Sequence, residues 1–506
     1  MPPTSGEASY ARILPLENRN SRAMAHTLVN VPTWSLNMAQ RTSTYGARRR
    51  SRPPRNRVRR FTNVGRMLAR VFVGYKLIGL REKRKGAEWG EARRTQHHLW
   101  SANRFYETAL RNQGLLIKTG QFLGSRPDVL PDAYVDVLSR LHDEVPPEPF
   151  EAIKHHVEKE LGAPLGEIFA EFDEEPVASA SLAQVHRAVL KDGRVAAVKV
   201  QYPGIERIVD IDLANLTFFI GVLNKLDGTM DYRFVAQEMR KHIPLELDFI
   251  NEGHNAERIA ANFEGVEDIV VPKIYWEHTS RRVLTMEYID GVKITDVQGM
   301  RDQGIDPTDV AKILLFAFSE MILNQGFFHA DPHPGNLMAL PGPKLVLIDF
   351  GQAKELGPEF REVFVRFTKA LFNEDNTSMG LAFREMGFRT KQDTAEGYEQ
   401  LGDAYVGRIA RQMNQSGVGW AEGEVFEESY QDALRVLKNN RLTAVPSELL
   451  LVGRVMGLLN GLSKTLQSRT NMLIAFARLI EQAEAAKANG AHPDDGAVTN
   501  RRLLEA

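Results

Sequence analysis

Apolar positions divide the chain into a helical beginning, a short β-rich stretch and a long helical end. From about Phe61 to Gly162, apolar residues recur at intervals of three, four and seven positions, which predicts amphipathic helices. From Glu171 the pattern changes to short β-rich runs, VASASLAQVHRAVL and RVAAVKVQYP, joined by the hairpin signal KDG. The runs DIVVPKIYWEH and RRVLTMEYI predict further strands before helical periodicity returns in VAKILLFAFSEMILNQGFF. We therefore predict an α+β fold in which a small β-rich lobe precedes a helical lobe.

These changes of pattern suggest five segments. Residues 1–60 lack periodicity and are predicted to be a disordered, basic segment. Residues 61–165 are predicted to form a helical extension, residues 166–290 the β-rich lobe and residues 291–487 the helical lobe. Residues 488–506 are polar and are predicted to be a flexible tail.

The composition is that of an ordinary soluble globular protein. The 506 residues are 43% hydrophobic and 25% charged, and they include no cysteine. The absence of cysteine excludes disulfides, thiolate zinc sites and cysteine nucleophiles, and it fits a reducing compartment. The chain has no run of about 18 uninterrupted apolar residues, so no membrane-spanning helix is predicted.

Charge is distributed unevenly along the chain. The formal net charge is -1, but residues 1–60 contain twelve arginines and only two acids, Glu7 and Glu17. This composition suits a transit peptide, a patch for anionic lipid, or a solvated tail. The start codon could also be placed too far upstream, since Met24 and Met38 are available as starts. Nucleic acid is not an expected partner, because no aromatic residues are interleaved with the arginines.

The stretch FFHADPHPGN, just inside the predicted helical lobe, carries the densest polar chemistry. Asp331 precedes Asn336 by five residues, and Asp349 of IDFG follows thirteen residues later, after a short predicted strand. Protein kinases use this order and spacing, with an aspartate near the acceptor hydroxyl and an asparagine and a second aspartate on magnesium. We predict Asp331 as the catalytic base, and Asn336 and Asp349 as metal ligands.

A kinase also needs a strand lysine that contacts the nucleotide phosphates. Lys199, in RVAAVKV, has this position. Its carboxylate partner should lie on the next helix, within PLELDFINEGHNAERI, where Glu252 is preferred to Glu246 because it starts a helical stretch. The predicted cofactors are ATP and Mg²⁺.

Two other chemistries could use the same residues. His329 and His333 could ligate a metal together with Asp331, but two prolines break the loop and no further histidine cluster would close the site. His329 is instead expected to brace the loop backbone. A Ser-His-Asp hydrolase would need a G-x-S-x-G elbow, which the chain lacks.

Over roughly residues 85–360 the chain resembles the UbiB/AarF family of atypical, protein-kinase-like kinases. The resemblance rests on KTGQ, ASASLAQVH, ELDF, HADPHPGN and IDFGQAKEL. It implies a two-lobed protein-kinase-like fold in which the helical extension, with Lys118 and Gln121, forms a lid over the active site. Lys118 is then expected to pair with Glu246 or Asp248, since a buried lysine needs a counter-charge.

The resemblance also implies how the nucleotide is held. The span that is glycine-rich in protein kinases here consists of Ala178, Ser179, Ala180, Ser181, Leu182 and Ala183. Alanine restricts the positive φ that glycine permits, so a stiffer loop is expected. The family usually has isoleucine-glycine where this chain has Leu182 and Ala183. The stretch from Met286 to Ile289 resembles the hinge between kinase lobes, where the backbone of Glu287 and Ile289 would contact adenine.

The implied function is that of a UbiB-like ATPase or kinase that supports isoprenoid quinone or related lipid biosynthesis, with lipid or quinone precursors as partners. The chain runs from IDFG directly into a helical pattern, with no A-P-E and no long activation segment, so general protein-kinase activity is not expected. A small-molecule phosphotransferase and a nucleotide-regulated lipid-binding chaperone remain alternatives.

The expected location is the cytoplasm or the inner face of a membrane, or an organelle if the source is a eukaryote. Peripheral membrane contact has one sequence candidate besides the basic N-terminal segment. The mixed stretch SELLLVGRVMGLLNGL could dock on lipid, or it could pack as a core helix.

Overall fold

The computed structural model describes residues 56–124, 130–142, 145, 147–226, 233–402, 442–444 and 446–488. The helices of this part of the chain are α1 (Arg57–Lys85), α2 (Ala87–Asn112), α3 (Leu115–Gly124), α4 (Asp132–Leu138), α5 (Phe150–Leu161), α6 (Leu165–Ile168), α7 (Ile205–Leu226), α8 (Arg233–Glu246), α9 (Phe249–Asn262), α10 (Val297–Asp302), α11 (Pro307–Ser319), α12 (Pro358–Phe372), α13 (Asn376–Met386), α14 (Ala395–Gly402), α15 (Ser447–Thr465) and α16 (Met472–Ala488).

The strands are short. They are β1 (Phe169–Phe172), β2 (Ala178–Ser179), β3 (Ala183–Leu190), β4 (Val195–Gln201), β5 (Ile269–Val270), β6 (Val283–Glu287), β7 (Val292–Lys293), β8 (Phe327–His329), β9 (Leu337–Leu340), β10 (Lys344–Leu347), β11 (Ala353–Glu355), β12 (Arg389–Thr390) and β13 (Leu442–Ala444).

Helix α1 begins at Arg57, inside the segment that the sequence predicts to be disordered. Asn56 caps the helix, since its side chain accepts hydrogen bonds from two backbone N–H groups. Arg60 is fully buried, and its guanidinium group binds the carboxylate of Asp212 on α7 and the carbonyl oxygen of Asn112. The prediction of disorder is therefore wrong at this end, because a buried counter-ion draws the arginine out of solvent. The rest of that segment, residues 1–55, lies outside the described residues.

The β-rich lobe is built on an antiparallel sheet of order β1-β3-β4-β6, with β2 paired to β3. Strands β3 and β4 form the hairpin that the sequence predicts, and Gly193 has the positive φ (87°) that its turn requires. In this register Lys199 of β4 lies between Val185 of β3 and Leu284 of β6. The lysine is thus held at the centre of the sheet rather than on an edge strand.

The helical lobe surrounds α11, in which nine of the thirteen residues are buried. A second small sheet, of order β5-β10-β9-β7, and the pair β8–β11 lie on the side of the lobe that carries the polar loop. Helix α15 packs into the same core through Val452, Val455 and Leu459, each fully buried. The stretch SELLLVGRVMGLLNGL is therefore a core helix, and its interpretation as a lipid-docking surface is wrong.

No helix in the described part of the chain combines the length and the hydrophobicity that a membrane crossing requires. Helix α16 ends at Ala488, and the remainder of the predicted tail lies outside the described residues.

Candidate functional site

Lys199 and Glu252 form a buried ion pair between the sheet and α9. The Lys199 Nζ lies 2.6 Å from the Glu252 Oε1, and the two residues are 8% and 2% exposed. Glu252 stands in the first turn of α9, which Asp248 caps. The structure thus selects Glu252 over Glu246 as the partner, as the sequence predicts. Burial alone would lower the pKa of Lys199, but Asp349 and Glu252 raise it, so the ammonium group stays charged.

Asp349 extends this pair into a cluster of three. Its Oδ2 lies 3.2 Å from the Lys199 Nζ, and its side chain is 40% exposed. Its backbone has φ of 62°, an uncommon value for a residue other than glycine, which is typical of strained functional positions. Desolvation would raise the pKa of its carboxyl group, but the charges of Lys199 and Lys118 outweigh it and lower the pKa to about 2. Asp349 is therefore ionised throughout the physiological range.

The loop after β8 holds Asp331 and Asn336 through its own hydrogen bonds. The side-chain amide of Asn336 donates to the carbonyl oxygen of Asp331 (3.0 Å), and the Ile348 N–H donates to the carbonyl oxygen of Asn336 (2.9 Å). These bonds fix the position of Asn336 beside the residue that precedes Asp349. The amide oxygen of Asn336 and the carboxylate of Asp349 are hard donors of the kind that Mg²⁺ prefers in proteins.

His329 braces this loop, as the sequence predicts. It is fully buried, its Nδ1 accepts from the Asp331 N–H (3.2 Å), and its Nε2 lies 3.3 Å from the carbonyl oxygen of Ile348. The Nδ1 of His333 accepts from the N–H of Gly335 within its own turn. Among the residues that the structure describes, no group of three histidine or acidic side chains is placed to hold a metal. The ring of His329 and the Nδ1 of His333 are thus engaged by backbone groups around the loop.

Lys118 of α3 reaches the site from the helical extension. Its Nζ lies 2.8 Å from the Glu246 Oε2, and both side chains are largely buried. Glu246 also accepts from the side-chain amide of Gln352, one residue after the IDFG motif (2.9 Å). Burial alone would lower the pKa of Lys118, but Glu246 and Asp331 raise it. Helix α3 thus extends over the carboxylates of the loop, where the lid is expected.

Two residues predicted to belong to the lid have other contacts. The side-chain amide of Gln121 donates to the carbonyl oxygen of Leu141 (2.9 Å) and holds α3 to the turn after α4. Asp248 is not the partner of Lys118, because its carboxylate accepts from the first backbone N–H groups of α9. Gln121 thus remains part of the lid helix, and of the two predicted partners of Lys118 the structure selects Glu246.

The alanine-rich span forms a tight turn between β2 and β3. The Ala180 N–H donates to the carbonyl oxygen of Ala183 (2.8 Å), and the hydroxyl of Tyr202 donates to the carbonyl oxygen of Ala180 (2.9 Å). Tyr202 is nearly buried, and burial raises the pKa of its hydroxyl group. None of the residues from Ala178 to Ala183 has a positive φ. The turn is therefore held by hydrogen bonds and has an unstrained backbone.

The segment that resembles a kinase hinge follows directly from β6. The Glu287 N–H donates to the carbonyl oxygen of Lys273 (2.8 Å), and the Tyr288 N–H donates to that of Val195 (3.2 Å). These bonds tie the segment to the β-rich lobe. Because the Glu287 N–H is engaged within the protein, its predicted contact with adenine would use its carbonyl oxygen.

Arg454 is a site residue that the sequence analysis missed. It projects from α15, and its Nη2 donates to the Asp331 Oδ1 at 2.8 Å, with both side chains largely buried. Its Nε is buried and has no hydrogen-bond partner among the residues that the structure describes. The signal was the isolated arginine in the apolar stretch LLLVGRVMGLL, since a charge in a core helix needs a counter-charge.

Comparison with known proteins points to one family. A model of the ABC1 atypical kinase-like domain matches residues 140–382. The chain is 33% identical to AarF domain-containing protein kinase 1 of Gallus gallus over 81% of this chain and 79% of that protein. It is 40% identical to Protein ACTIVITY OF BC1 COMPLEX KINASE 8, chloroplastic, of Arabidopsis thaliana, over 56% of this chain and 38% of that protein.

The fold has a counterpart among solved structures. A Mycobacterium tuberculosis protein determined in complex with erythromycin matches with a TM-score of 0.53 and 22% sequence identity, over 77% of this chain and 97% of that one. At this level of identity the match concerns the fold alone. It agrees with the α+β, two-lobed kinase-like architecture that the sequence predicts.

Proposed function

Because the chain belongs to the UbiB/AarF family of atypical, protein-kinase-like kinases, we propose that it binds ATP with Mg²⁺ and acts as an atypical kinase or ATPase. The observation that carries the proposal is the contiguous cluster of Lys199, Glu252 and Asp349, beside the hydrogen-bonded loop of Asp331 and Asn336. These groups come from β4, α9 and the two polar loops of the helical lobe. Phosphoryl transfer requires this set of side chains.

Each residue has a separate role in this proposal. Lys199, oriented by Glu252, would contact the nucleotide phosphates, and the backbone of the hydrogen-bonded turn at residues 178–183 would lie over them. Asn336 and Asp349 would hold Mg²⁺, which supplies charge neutralisation at the phosphates. Asp331 would receive the proton of an attacking hydroxyl or water. Arg454 would keep the Asp331 carboxylate oriented until the acceptor arrives.

The acceptor in this proposal is a small molecule, a lipid or water rather than a peptide. Only six residues separate Gly351 from Pro358, the first residue of α12, so the chain has no long activation segment on which a peptide could dock. Helix α3 lies over the carboxylates through Lys118. A protein substrate would have to displace this helix.

We further propose a role in isoprenoid quinone or related lipid biosynthesis, at the cytoplasmic or inner face of a membrane. Family membership supports this role, and lipid or quinone precursors would be the partners. The Arabidopsis relative is named as a chloroplastic protein, so a location inside an organelle is compatible with this role if the source is a eukaryote.

A second candidate is a nucleotide-regulated lipid-binding module with little turnover. The engagement of the Asp331 carboxylate by Arg454 favours it, because a base held by an arginine is a weaker proton acceptor. A small-molecule phosphotransferase would use the same residues with the lid displaced.

Magnesium-dependent ATP hydrolysis by the full chain tests the proposal. The rate is measured with and without liposomes and phenolic quinone precursors, for the wild type, for Asp349→Asn and for Asp309→Asn, which removes an exposed carboxylate paired with Lys312. We expect Asp349→Asn to lose at least about a hundredfold in rate and Asp309→Asn to retain it. Full activity of Asp349→Asn would overturn the metal assignment. Binding of ATP without hydrolysis would instead support the low-turnover module.

A further inference from the structure

Helix α1 presents a row of apolar side chains to solvent. Val73, Leu77 and Leu80 are 52%, 45% and 62% exposed. Their spacing of four and three residues places them on one side of the helix. Single exposed apolar residues are normal on protein surfaces, but a contiguous row marks an interaction site.

The apolar surface continues onto α2. An open groove of about 490 Å³ lies between the two helices and is lined by Val73, Leu77, His97 and Trp100 among others. Leu99 and Trp100 of α2 are also exposed by more than a third. The row on α1 is therefore one part of a surface that spans both helices.

Basic side chains border this row. Helix α1 contains ten arginines and lysines and one acid, a net charge of +9. On a helical wheel the basic residues that flank the row lie within about 80° of Val73. All are exposed: Arg66, Arg70, Lys76, Arg81, Lys83 and Arg84. The single acid, Glu82, lies on the opposite side of the helix and pairs with Arg94 of α2.

We propose that this face of α1, together with the groove beside α2, docks the protein on the surface of an anionic lipid bilayer. Exposed apolar residues with basic margins are the composition of a helix that lies in the membrane interface. The apolar row would enter the boundary between headgroups and acyl chains. The margins would contact anionic headgroups.

Three other partners of this face are a second copy of the chain, residues 1–55 and a nucleic acid, and the composition of α1 argues against each. In a symmetric dimer through α1, the basic margins of the two copies would face each other. Residues 1–55 contain nine arginines and two acids, so their net charge has the same sign as that of α1. A nucleic acid would pair with the basic side chains but would leave the apolar row without an apolar partner.

This surface replaces the one that the sequence suggested, since SELLLVGRVMGLLNGL is part of the core. The inference does not depend on the proposed phosphoryl chemistry. A chain unable to hydrolyse ATP would still bind lipid, and a chain unable to bind lipid could still hydrolyse ATP.

Vesicle co-sedimentation of the full chain tests the proposal. One set of vesicles is phosphatidylcholine alone, and the other contains about one third phosphatidylglycerol. We expect binding to the anionic vesicles only. The variant Arg70→Gln/Lys76→Gln/Arg81→Gln should weaken it about fivefold per removed charge, and Leu77→Gln/Leu80→Gln should weaken it about tenfold or more.

Matched controls remove the same kinds of side chain at positions outside α1 and α2. The variant Lys273→Gln/Lys391→Gln/Arg469→Gln removes three exposed basic groups, and Leu381→Gln removes an apolar side chain that is also about half exposed. Both should bind as the wild type does. Equal binding to neutral and anionic vesicles would overturn the proposal. So would binding to anionic vesicles that neither α1 variant weakens. Self-association in light scattering that Leu77→Gln/Leu80→Gln abolishes, without vesicle binding, would also overturn it.

The absence of cysteine from the chain allows a second, local readout. Leu77→Cys and Leu381→Cys each create a unique site for an environment-sensitive fluorophore. With anionic vesicles, the label at position 77 should shift to shorter wavelength and the label at position 381 should not. Equal shifts at both positions, or no shift at position 77, would contradict insertion of this face.

Discussion

At the scale of single residues, the site is organised by buried or partly buried cations, each of which holds a carboxylate. Lys118 pairs with Glu246, Lys199 with Glu252, and Arg454 with Asp331. Such pairs contribute little net stability, because desolvation offsets most of the attraction. The pairs instead fix the positions of the site's carboxylates. Removing one partner leaves an uncompensated charge in a poorly hydrated site.

Lys199→Ala should destabilise the protein strongly. Glu252, only 2% exposed, would lose its counter-charge, a change that costs about 3–5 kcal/mol in buried pairs. The measurement is the free energy of unfolding in urea at about pH 8.5, above the pKa of about 7 of the Glu252 carboxyl group. Lys312→Ala, which breaks the exposed pair with Asp309, is the control and should cost less than about 1 kcal/mol. Equal costs for the two variants would contradict the role given to the buried pair.

The ionisation of Glu252 should make stability depend on pH. Burial, opposed by Lys199, raises the pKa of its carboxyl group to about 7. A raised pKa gives stability that is complete below the unfolded value of about 4.5 and is lost as pH rises through about 7. Relative to Glu252→Gln, the wild type should lose up to about 3 kcal/mol between pH 4.5 and 8. Parallel unfolding curves for the two proteins would refute this, and the exposed Glu359→Gln provides the baseline.

Sequence reasoning at this scale predicted which residues lie together where a motif fixes their spacing along the chain. Lys199, Glu252, Asp331, Asn336 and Asp349 are brought together as the kinase pattern requires. It failed where the partner lies far along the chain. Arg454 is separated from Asp331 by 123 residues and Arg60 from Asp212 by 152, and neither separation follows a motif. Tyr202 was missed because its hydroxyl binds a backbone carbonyl, which any residue type provides.

At the scale of secondary-structure elements, the position of α3 depends on a close helix contact. A Cβ added at Gly120 would lie 2.3 Å from the Leu141 Cδ1 and 3.1 Å from the ring of Phe105. Leu141 is fully buried, so it has little room to move. The glycine of KTGQ therefore allows the helix that carries Lys118 to approach the turn after α4.

Gly120→Ala should thus be destabilising by about 1–3 kcal/mol through overpacking. Thermal or urea unfolding measures the change. Gly79→Ala in α1 is the control, because a Cβ there meets nothing within 4 Å and alanine favours helix over glycine. A neutral Gly120→Ala would mean that α3 can shift without cost, and the lid would then not be rigid.

Elements were predicted well where periodicity and turn residues agreed. The β3–β4 hairpin and the short strand before Asp349 are present. Periodicity alone could not tell which helical faces are covered. Both α1 and α15 have apolar residues at helical spacing, but Val73 and Leu80 of α1 are exposed, whereas α15 packs into the core. Both outcomes depend on tertiary packing, which a single helix does not specify.

At the scale of the whole molecule, the helical extension and the two kinase-like lobes meet around Glu246. This residue binds Lys118 from the extension and Gln352 from the helical lobe. Opening of the lid therefore has to break a largely buried ion pair. The extension is coupled by this contact to the segment that carries Asp349.

Lys118→Ala should loosen the lid and weaken ATP binding by about tenfold or more, because Glu246 loses its counter-charge. Isothermal titration of ATP with Mg²⁺ gives the dissociation constant, and steady-state hydrolysis gives the turnover number. Lys118→Ala/Glu246→Gln removes the unpaired charge and should restore part of the affinity. If that double variant binds no better than the single one, the pair does not act as a latch.

The central claim is that residues distant in sequence surround one metal-bound triphosphate. Its most direct test is anomalous diffraction from crystals of the full chain with ATP and Mn²⁺ in place of Mg²⁺. We expect a manganese peak in contact with the Asp349 carboxylate and the Asn336 amide oxygen, with the Lys199 ammonium group on the phosphates. A peak elsewhere, or a triphosphate that does not reach Lys199, would contradict the account.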